Sequence, residues 1–193
     1  MPNMYQSNER NNDDKPDKAE RLESLAEQLS FKSRFVLLFG EINHSVARTT
    51  CERLIALDQQ SDAPISVLIS SPGGHVESGD AIHDIIRFIR APVTTIGTGW
   101  VASAGTHVFL AAQKERRVCL PNTRFMIHQP GGGAGGPATD IAIQAKEILR
   151  TRERIARVIS RQTGKDYDKV LADMEPIWRS EKRRVGKECR SRW

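Results

Sequence analysis

An alternation of short apolar runs and helix-like segments constrains this chain more than any other feature. The apolar runs are Phe35–Phe39, Ile65–Ile69, Val93–Ile96 and Phe125–Ile127. Each run precedes a segment with helical spacing, and a recurrence of about thirty residues predicts stacked βα units with a largely parallel sheet. Because parallel connections are right-handed, the units should wind as a spiral or doubly wound α/β fold. The continuous run Phe35–Phe39 further predicts a strand that is buried on both faces.

Five segments of the chain predict helices. Apolar residues recur at helical spacing in Lys18–Leu29, Val46–Leu57, Val76–Ile89, Ser103–Ala112 and Thr139–Ser160. In the last helix Thr139 and Asp140 can cap the start, and Gly164 ends it. The glycine-rich segment Gly131–Gly136 before it predicts either a flexible loop or a strand close to another backbone, such as a substrate peptide. A further element begins within Asp166–Met174.

Charge and apolar content divide the chain into three parts. Residues 1–17 are polar and predict a disordered N-terminus, residues 18–178 form the folded domain, and residues 179–193 form a basic tail. The chain has 29 basic and 24 acidic residues. The tail holds seven of the basic and two of the acidic residues, so the rest of the chain holds 22 of each. We therefore interpret the tail as an extension foreign to the fold, not as a nucleic-acid footprint. The domain itself is expected to be incomplete at its C-terminal end.

Cysteine usage and hydropathy exclude several protein classes. Cys51, Cys119 and Cys189 are an odd number without a CxxC pair, which argues against a disulfide scaffold or a zinc site and fits a reducing cytosol. No apolar stretch reaches the ~18 residues that a membrane helix needs. The polar first thirty residues carry no secretory signal. We expect no metal, because no cluster of metal-ligand residues is visible.

Three polar spots follow predicted strands, at the edge of a parallel sheet where ligands bind. In the first, residues 70–74 (SSPGG), two glycines let a backbone N–H face outward as an oxyanion donor, although such a turn is common without any function. The second, residues 99–105 (GWVASAG), places Ser103 at a helix start. A serine there is also a common N-cap, and Val101 departs from the G-x-S-x-G hydrolase elbow.

The third spot is His128, which directly follows the last predicted strand. A histidine at this edge of the sheet can act as general base for Ser103. A lone histidine more often has a loop or core role, so the sequence leaves both interpretations open at this point.

Four other histidines compete for the role of base. His107 lies one helical turn after the serine, so we expect it to point along the helix rather than at the serine's open side. His75 follows the glycine pair and can line the site, whereas His44 and His83 are expected on helix surfaces.

Together the three spots resemble the proteolytic subunit family of the ATP-dependent Clp protease, whose members are serine peptidases. The resemblance rests on residues 71–84 (SPGGHVESGDAIHD), 99–105 (GWVASAG), 119–130 (CLPNTRFMIHQP) and 138–149 (ATDIAIQAKEIL). It covers about Phe35 to Asp173. It implies the spiral βα fold shared with crotonases, with a protruding handle made of a glycine-rich strand and a long helix.

The resemblance also implies a site. Ser103 matches the family nucleophile and His128 the family base, while Gly74 and Ala104 match the two backbone oxyanion donors. The implied substrate-binding positions are Gly131, Gly132 and Gly133. No organic cofactor is implied, because ATP is used by a partner ATPase and not by this kind of chain.

The partners implied by the resemblance are copies of the chain, an ATPase and the substrate. Two stacked seven-membered rings enclose the serines, and a hexameric AAA+ ATPase feeds unfolded polypeptides into the chamber. The implied location is cytoplasmic, without nucleic acid or membrane.

One position departs from the family pattern. The family has an aspartate followed by an aromatic residue shortly after the long helix, and matching Trp178 to the aromatic places Ile177 at the aspartate. Asp173 lies four residues earlier and is a weak substitute. An imidazole without its orienting carboxylate adopts the wrong tautomer, which costs on the order of 10⁴ in rate. We therefore expect this chain to be a weak or inactive peptidase.

Two other functions stay open at this point. The chain can be a non-catalytic ring subunit that supports active partners. It can also be a crotonase-type acyl-CoA enzyme, which shares the fold and an oxyanion turn but does not need the Ser103 and His128 pair.

Overall fold

The computed structural model describes residues 18–133 and 135–175. Its elements are α1 (Lys18–Lys32), β1 (Phe35–Phe39), α2 (His44–Gln60), β2 (Ile65–Ser71), α3 (Val76–Phe88), β3 (Val93–Ala102), α4 (Ala104–Phe109), a 3₁₀ turn (Lys114–Arg116), β4 (Arg117–Cys119), β5 (Arg124–Met126), α5 (Ala138–Thr163) and α6 (Tyr167–Asp173). The strands form one parallel sheet in the order β1-β2-β3-β4, with β5 also paired to β3. The predicted parallel α/β fold is confirmed.

The strand β3 positions the site. The apolar run Val93–Ile96 predicts a strand that ends at Ile96, but the strand continues to Ala102 because β5 supplies a second partner along residues 100–102. Its first half pairs with β2 and β4, and the register against β2 shifts after Ile69. Ser103 therefore follows a central strand at the place where it leaves the sheet.

The short strand β4 was not predicted from the sequence. Its first residue, Arg117, is charged and yet only 1% exposed. The guanidinium donates hydrogen bonds to the carbonyl oxygens of Leu110, Ala112 and Gln162. These bonds join β4 to the chain after α4 and to the last turn of α5, which fixes that helix beside the sheet.

The strand β1 differs from its prediction. Val36 and Leu38 are fully buried, but Phe35, Leu37 and Phe39 are exposed. Within the described residues β1 is an edge strand that pairs with β2 alone, and its alternating burial shows that only one of its two faces is covered. An apolar run cannot distinguish a strand with two covered faces from one with a single covered face.

The long helix α5 projects from the domain. Its buried residues, Ala156 and Ile159, lie in its C-terminal half, and the first half is largely exposed. It ends at Gly164 in the left-handed conformation, as predicted. Its start differs from the prediction: Pro137 is the N-cap residue and makes no side-chain capping bond, and Thr139 lies inside the first turn.

The glycine-rich segment before α5 is not a strand within residues 131–133 and 135–137. A strand needs a hydrogen-bonding neighbour, and no strand of the described chain pairs with this segment. The helix of the expected handle is therefore present, but its glycine-rich strand is not formed in the single chain.

Membrane insertion receives no support from the helices that the structure describes. None of them combines the length and the apolar character that crossing a bilayer requires.

Candidate active site

Ser103 occupies a strained turn between β3 and α4. Its φ of 52° and ψ of −122° fall in a region that non-glycine residues rarely adopt. Such backbone costs about 1–3 kcal/mol and persists only where the surroundings impose it. Here the Ser103 N–H donates to the carbonyl oxygen of Met126 at 2.9 Å. The hydroxyl makes no capping bond to the helix, which argues against the simple N-cap interpretation.

His128 converges on the same place from β5. The Met126 carbonyl also accepts a bond from the Thr106 hydroxyl, so the end of β5 is fixed against both sides of the serine turn. Two residues later, the half-buried His128 lines a cavity of about 30 Å³ together with Ser103. Burial lowers the pKa of His128 below its ordinary value. The ring is therefore neutral near pH 7 and can accept a proton.

The glycine turn after β2 packs directly on the serine. A Cβ at Gly73 would lie 2.5 Å from the Ser103 Cβ, so only glycine fits there. The turn is fixed by Ile42, whose N–H donates to the Gly73 carbonyl and whose carbonyl accepts from the His75 N–H, each at 2.8 Å. Its φ values of 96° and 144° at Gly73 and Gly74 also require glycine.

Two backbone donors lie beside this turn. Gly74 is exposed, and its N–H has no acceptor among the described residues. The N–H of Ala104 is the first of α4 and therefore has no acceptor within that helix. A Cβ at Gly73 would sit 3.0 Å from this Ala104 nitrogen, which shows how closely the turn and the helix start approach each other. These are the two N–H groups that the resemblance implies as oxyanion donors, and that role stays a prediction.

The cavity beside the serine has mostly apolar walls. Val76 comes from the start of α3, Ile127 and Pro130 follow β5, and Ile155 and Ile159 come from α5. The C-terminal half of the long helix thus covers one side of the site.

His107 differs from its prediction, because it lines this same cavity. It is 6% exposed, and its Nε2 lies 3.0 Å from Oδ1 of Asp80. Both Asp80 oxygens accept from Arg154 of α5 at 2.7 Å. Burial alone would raise the pKa of Asp80, but the contacts with His107 and Arg154 outweigh it and hold the pKa well below its ordinary value.

His83 also differs from its prediction as a surface residue. It is buried, and its ring stacks on that of His107 with centroids 4.4 Å apart. Burial and the neighbouring His107 lower the pKa of His83 to about 4. A signal for this cluster exists in the sequence, since Val76, Asp80 and His83 recur at the spacing of the buried face of α3.

Acidification should destabilise the protein through His83. The unfolded chain takes up the proton near the ordinary pKa of 6.5 and the folded chain only near 4, so stability falls as pH decreases through this window. From pH 7 to pH 5 the expected loss is about 2 kcal/mol. The His83→Phe variant should lose less free energy of unfolding between these two pH values. This is measured by urea unfolding at both pH values and at a fixed protein concentration. His44→Phe, at an exposed ring, is the matched control; parallel pH curves for the wild type and His83→Phe would contradict this account.

His75 and His44 lie outside the cavity walls. Both are exposed, their ring centroids are 4.3 Å apart, and the His75 side chain accepts from the Ser78 N–H as the N-cap of α3. His44 therefore agrees with its expected surface position, whereas the expectation that His75 lines the site does not hold.

The remaining site positions are less constrained. Gly131 and Gly133 are exposed, and a Cβ on either would have nothing within 4 Å, so their role in substrate binding stays a prediction.

The Gln129 N–H donates to the Met174 carbonyl at 2.9 Å, which holds the end of α6 beside His128. Asp173 Oδ2 lies 3.9 Å from the Lys169 ammonium. Positions 177 and 178 lie outside the described residues.

Across residues 18–133 and 135–175, no group of three or more histidine, cysteine or acidic side chains is arranged to hold a metal ion.

Comparison with known proteins identifies the family of this chain. The family model for Clp protease matches residues 17–178. The chain belongs to the Clp protease family. It is 57% identical over 147 residues to the ATP-dependent Clp protease proteolytic subunit 2 of Gluconobacter oxydans, covering 75% of this chain and 66% of that protein. It is 49% identical over 168 residues to the proteolytic subunit 3 of Rhizobium meliloti, covering 86% of each.

Solved structures of Clp protease subunits agree with the fold. A point mutant of ClpP1 from Listeria monocytogenes superposes with a TM-score of 0.73 and 49% identity, over 79% of this chain and 84% of that chain. The ClpP1 structure from the same organism gives a TM-score of 0.70 at 47% identity, over 80% and 85%. The resemblance and the fold implied by the sequence motifs are confirmed.

Proposed function

We propose that this Clp protease family chain is a serine endopeptidase subunit that cleaves unfolded polypeptides. One observation carries the proposal: Ser103 and His128 line one cavity, and Ser103 lies against the Gly73–Gly74 turn, next to the first N–H of α4. A crotonase-type thioester reaction uses an oxyanion turn but has no need of this pair.

The chemistry follows from these groups. The Ser103 oxygen attacks the peptide carbonyl while His128 takes its proton, and the N–H groups of Gly74 and Ala104 bind the oxyanion. His128 then gives the proton to the departing amine, which leaves an ester on Ser103. Water hydrolyses that ester with His128 again acting as base, and the serine is regenerated.

The efficiency of this site is proposed to be low. Ile177 stands where the family pattern has the aspartate that orients the histidine. A neutral His128 can still accept a proton. Without that carboxylate, however, the ring is not held in the productive tautomer and the imidazolium that forms is not stabilised. This substitution is the specific observation that favours the second candidate, a ring subunit that supports active partners.

Assembly into stacked seven-membered rings with a hexameric ATPase is part of the proposal. Apolar side chains on the projecting half of α5 remain exposed in the single chain, among them Ile141, Ile143 and Leu149. Exposed apolar side chains on a projecting element mark an association surface. The ATPase is inferred from the relatives, which are named ATP-dependent.

The two candidates separate in an assay with mixed rings. Rings are assembled from this chain and an active relative, with either the natural Ser103 or Ser103→Ala in this chain, and cleavage of an unstructured polypeptide is followed. If this chain is an enzyme subunit, the turnover of the mixed rings should decrease with Ser103→Ala. Unchanged turnover would overturn the peptidase assignment in favour of the supporting role, and rings of this chain alone provide the control for background cleavage.

A further inference from the structure

The buried hydroxyl of Thr106 joins the two chain segments that carry Ser103 and His128. Its Oγ1 lies 2.9 Å from the carbonyl oxygen of Val101 and 3.1 Å from that of Met126, and it can donate its proton to either oxygen. Val101 lies two residues before the serine in β3, and Met126 lies two residues before the histidine in β5. One side chain therefore links the strand that ends at the serine with the strand that leads to the histidine.

These bonds differ from those that a helical threonine usually makes. A threonine hydroxyl within a helix commonly donates to the carbonyl oxygen three or four residues earlier. Thr106 belongs to α4, but its two acceptors lie five residues earlier in β3 and 20 residues later in β5. The residue is only 1% exposed, so water cannot take over either bond. The hydroxyl is therefore a link between elements and not a local bond of its own helix.

The segment that carries His128 is held at two points. Before the histidine, the Met126 carbonyl accepts from both the Thr106 hydroxyl and the Ser103 N–H. After it, the N–H of the next residue is bonded to the end of α6 at 2.9 Å. The strand β5 has only three residues, so a side-chain bond at its last carbonyl is a large part of what fixes it. Without the hydroxyl the bond from Ser103 remains, and the segment should shift rather than detach.

We propose that Thr106 is a positioning residue, whose hydroxyl holds the His128 imidazole within reach of the Ser103 hydroxyl. This inference rests on the proposed function of that pair. Proton transfer requires the two heavy atoms to lie about 2.6–3.2 Å apart, and a displacement of about 1 Å can slow a reaction about 10²-fold. Thr106 lines the cavity that the serine and the histidine share, which places this link next to the reacting groups.

Replacement of the hydroxyl by a methyl group tests this role. Thr106→Val keeps the shape of the side chain and removes the donor. It should slow modification of Ser103 by a small fluorophosphonate by about 10- to 100-fold, as measured by intact mass on the full chain. Thr106→Ser restores the donor and should recover most of the wild-type rate. A Thr106→Ser rate as slow as that of Thr106→Val would overturn the inference.

Thr95→Val is the matched control for Thr106→Val. Thr95 is a fully buried residue of β3, and its hydroxyl donates to the carbonyl oxygen of Phe109 at the end of α4 at 2.9 Å. The same substitution there removes one hydrogen bond between the same two elements, at a residue outside the cavity walls. Both valine variants should lower the urea midpoint of unfolding, but Thr95→Val should keep the wild-type labelling rate. Equal slowing in the two variants would overturn the inference.

A second background separates positioning from a general structural effect. If Thr106 acts through His128, Thr106→Val should change the labelling rate of His128→Ala protein by less than about 2-fold, because no imidazole remains to be positioned. A structural role alone would slow labelling by the same factor with and without His128, and that result would overturn the inference.

The same rates distinguish failure of the proposed function from failure of this inference. If the wild type forms no adduct on Ser103, or labels no faster than His128→Ala, both fail. If labelling depends on His128 but not on Thr106, the proposed function stands and the positioning role fails. Should Thr106→Val not fold, Thr106→Ser and Thr106→Ala are compared, since these two side chains differ only in the hydroxyl. Equal labelling rates in that pair would overturn the inference.

Discussion

Ile177→Asp is expected to accelerate modification of Ser103 by a fluorophosphonate by up to about 10⁴-fold. The substitution restores the family residue that holds His128 in the tautomer needed to accept the serine proton. The Gln129–Met174 hydrogen bond already holds the chain, three residues before position 177, beside His128. The rate is measured by intact mass, in rings of this chain with the family's C-terminal residues in place of 179–193.

Ile177→Asn is the matched control for this prediction. The asparagine side chain has the shape of aspartate but no charge to stabilise an imidazolium, so it should give little of the acceleration. A combined Asp173→Asn variant tests whether Asp173 substitutes for the missing carboxylate in the natural chain. Equally fast labelling of the natural chain and Ile177→Asp would contradict the account of an impaired site.

Gly74→Ala is expected to slow Ser103 modification by about 10²–10³-fold. A Cβ at this position would lie 2.3 Å from the Ile42 carbonyl oxygen, and φ of 144° is unfavourable for alanine. The turn must therefore move, and it carries the Gly74 N–H away from the oxyanion. The fold should persist, because the displacement concerns a surface turn rather than the buried strands.

Gly40→Ala is the control for Gly74→Ala. Gly40 also has a positive φ, of 80°, but a Cβ there has nothing within 4 Å. Backbone strain without a displaced donor should cost about 1–2 kcal/mol of stability and leave the rate of Ser103 modification unchanged. A comparable loss of rate in both variants would assign the Gly74 effect to general destabilisation.

The fold was predictable because its signals are local. Apolar runs followed by helical spacing identify β1, β2 and most of the helices, and Gly164 marks the end of α5 through a backbone conformation that other residues avoid. The extension of β3 to Ala102 and the short strand β4 were not predictable. Both depend on pairing with residues distant in the chain, and β4 begins with a buried arginine satisfied by carbonyl groups on other elements.

The candidate site also has a part that could be predicted from the sequence and a part that could not. Ser103, His128 and the glycine pair follow strands, and parallel strands bring their ends to one edge, so their proximity could be expected. The inward position of His83 has a signal in the spacing of α3, but the contact of His107 with Asp80 could not be expected, because Asp80 lies on a different helix. Arg154, which completes this cluster, lies 74 residues from Asp80 in the sequence.

The pH dependence of Ser103 modification tests the pairing of the hydroxyl and the imidazole most directly. A fluorophosphonate adduct is mapped by peptide mass, and its rate of formation is measured between about pH 5 and pH 8 in the wild type and in His128→Ala. The account predicts an adduct on Ser103 and a wild-type rate that falls as pH decreases through a pKa below 6.5, because protonated His128 cannot act as base. His128→Ala should be at least about 100-fold slower and should lose this pH dependence. An adduct on another residue, or a Ser103 rate and pH profile unaffected by His128→Ala, would contradict it.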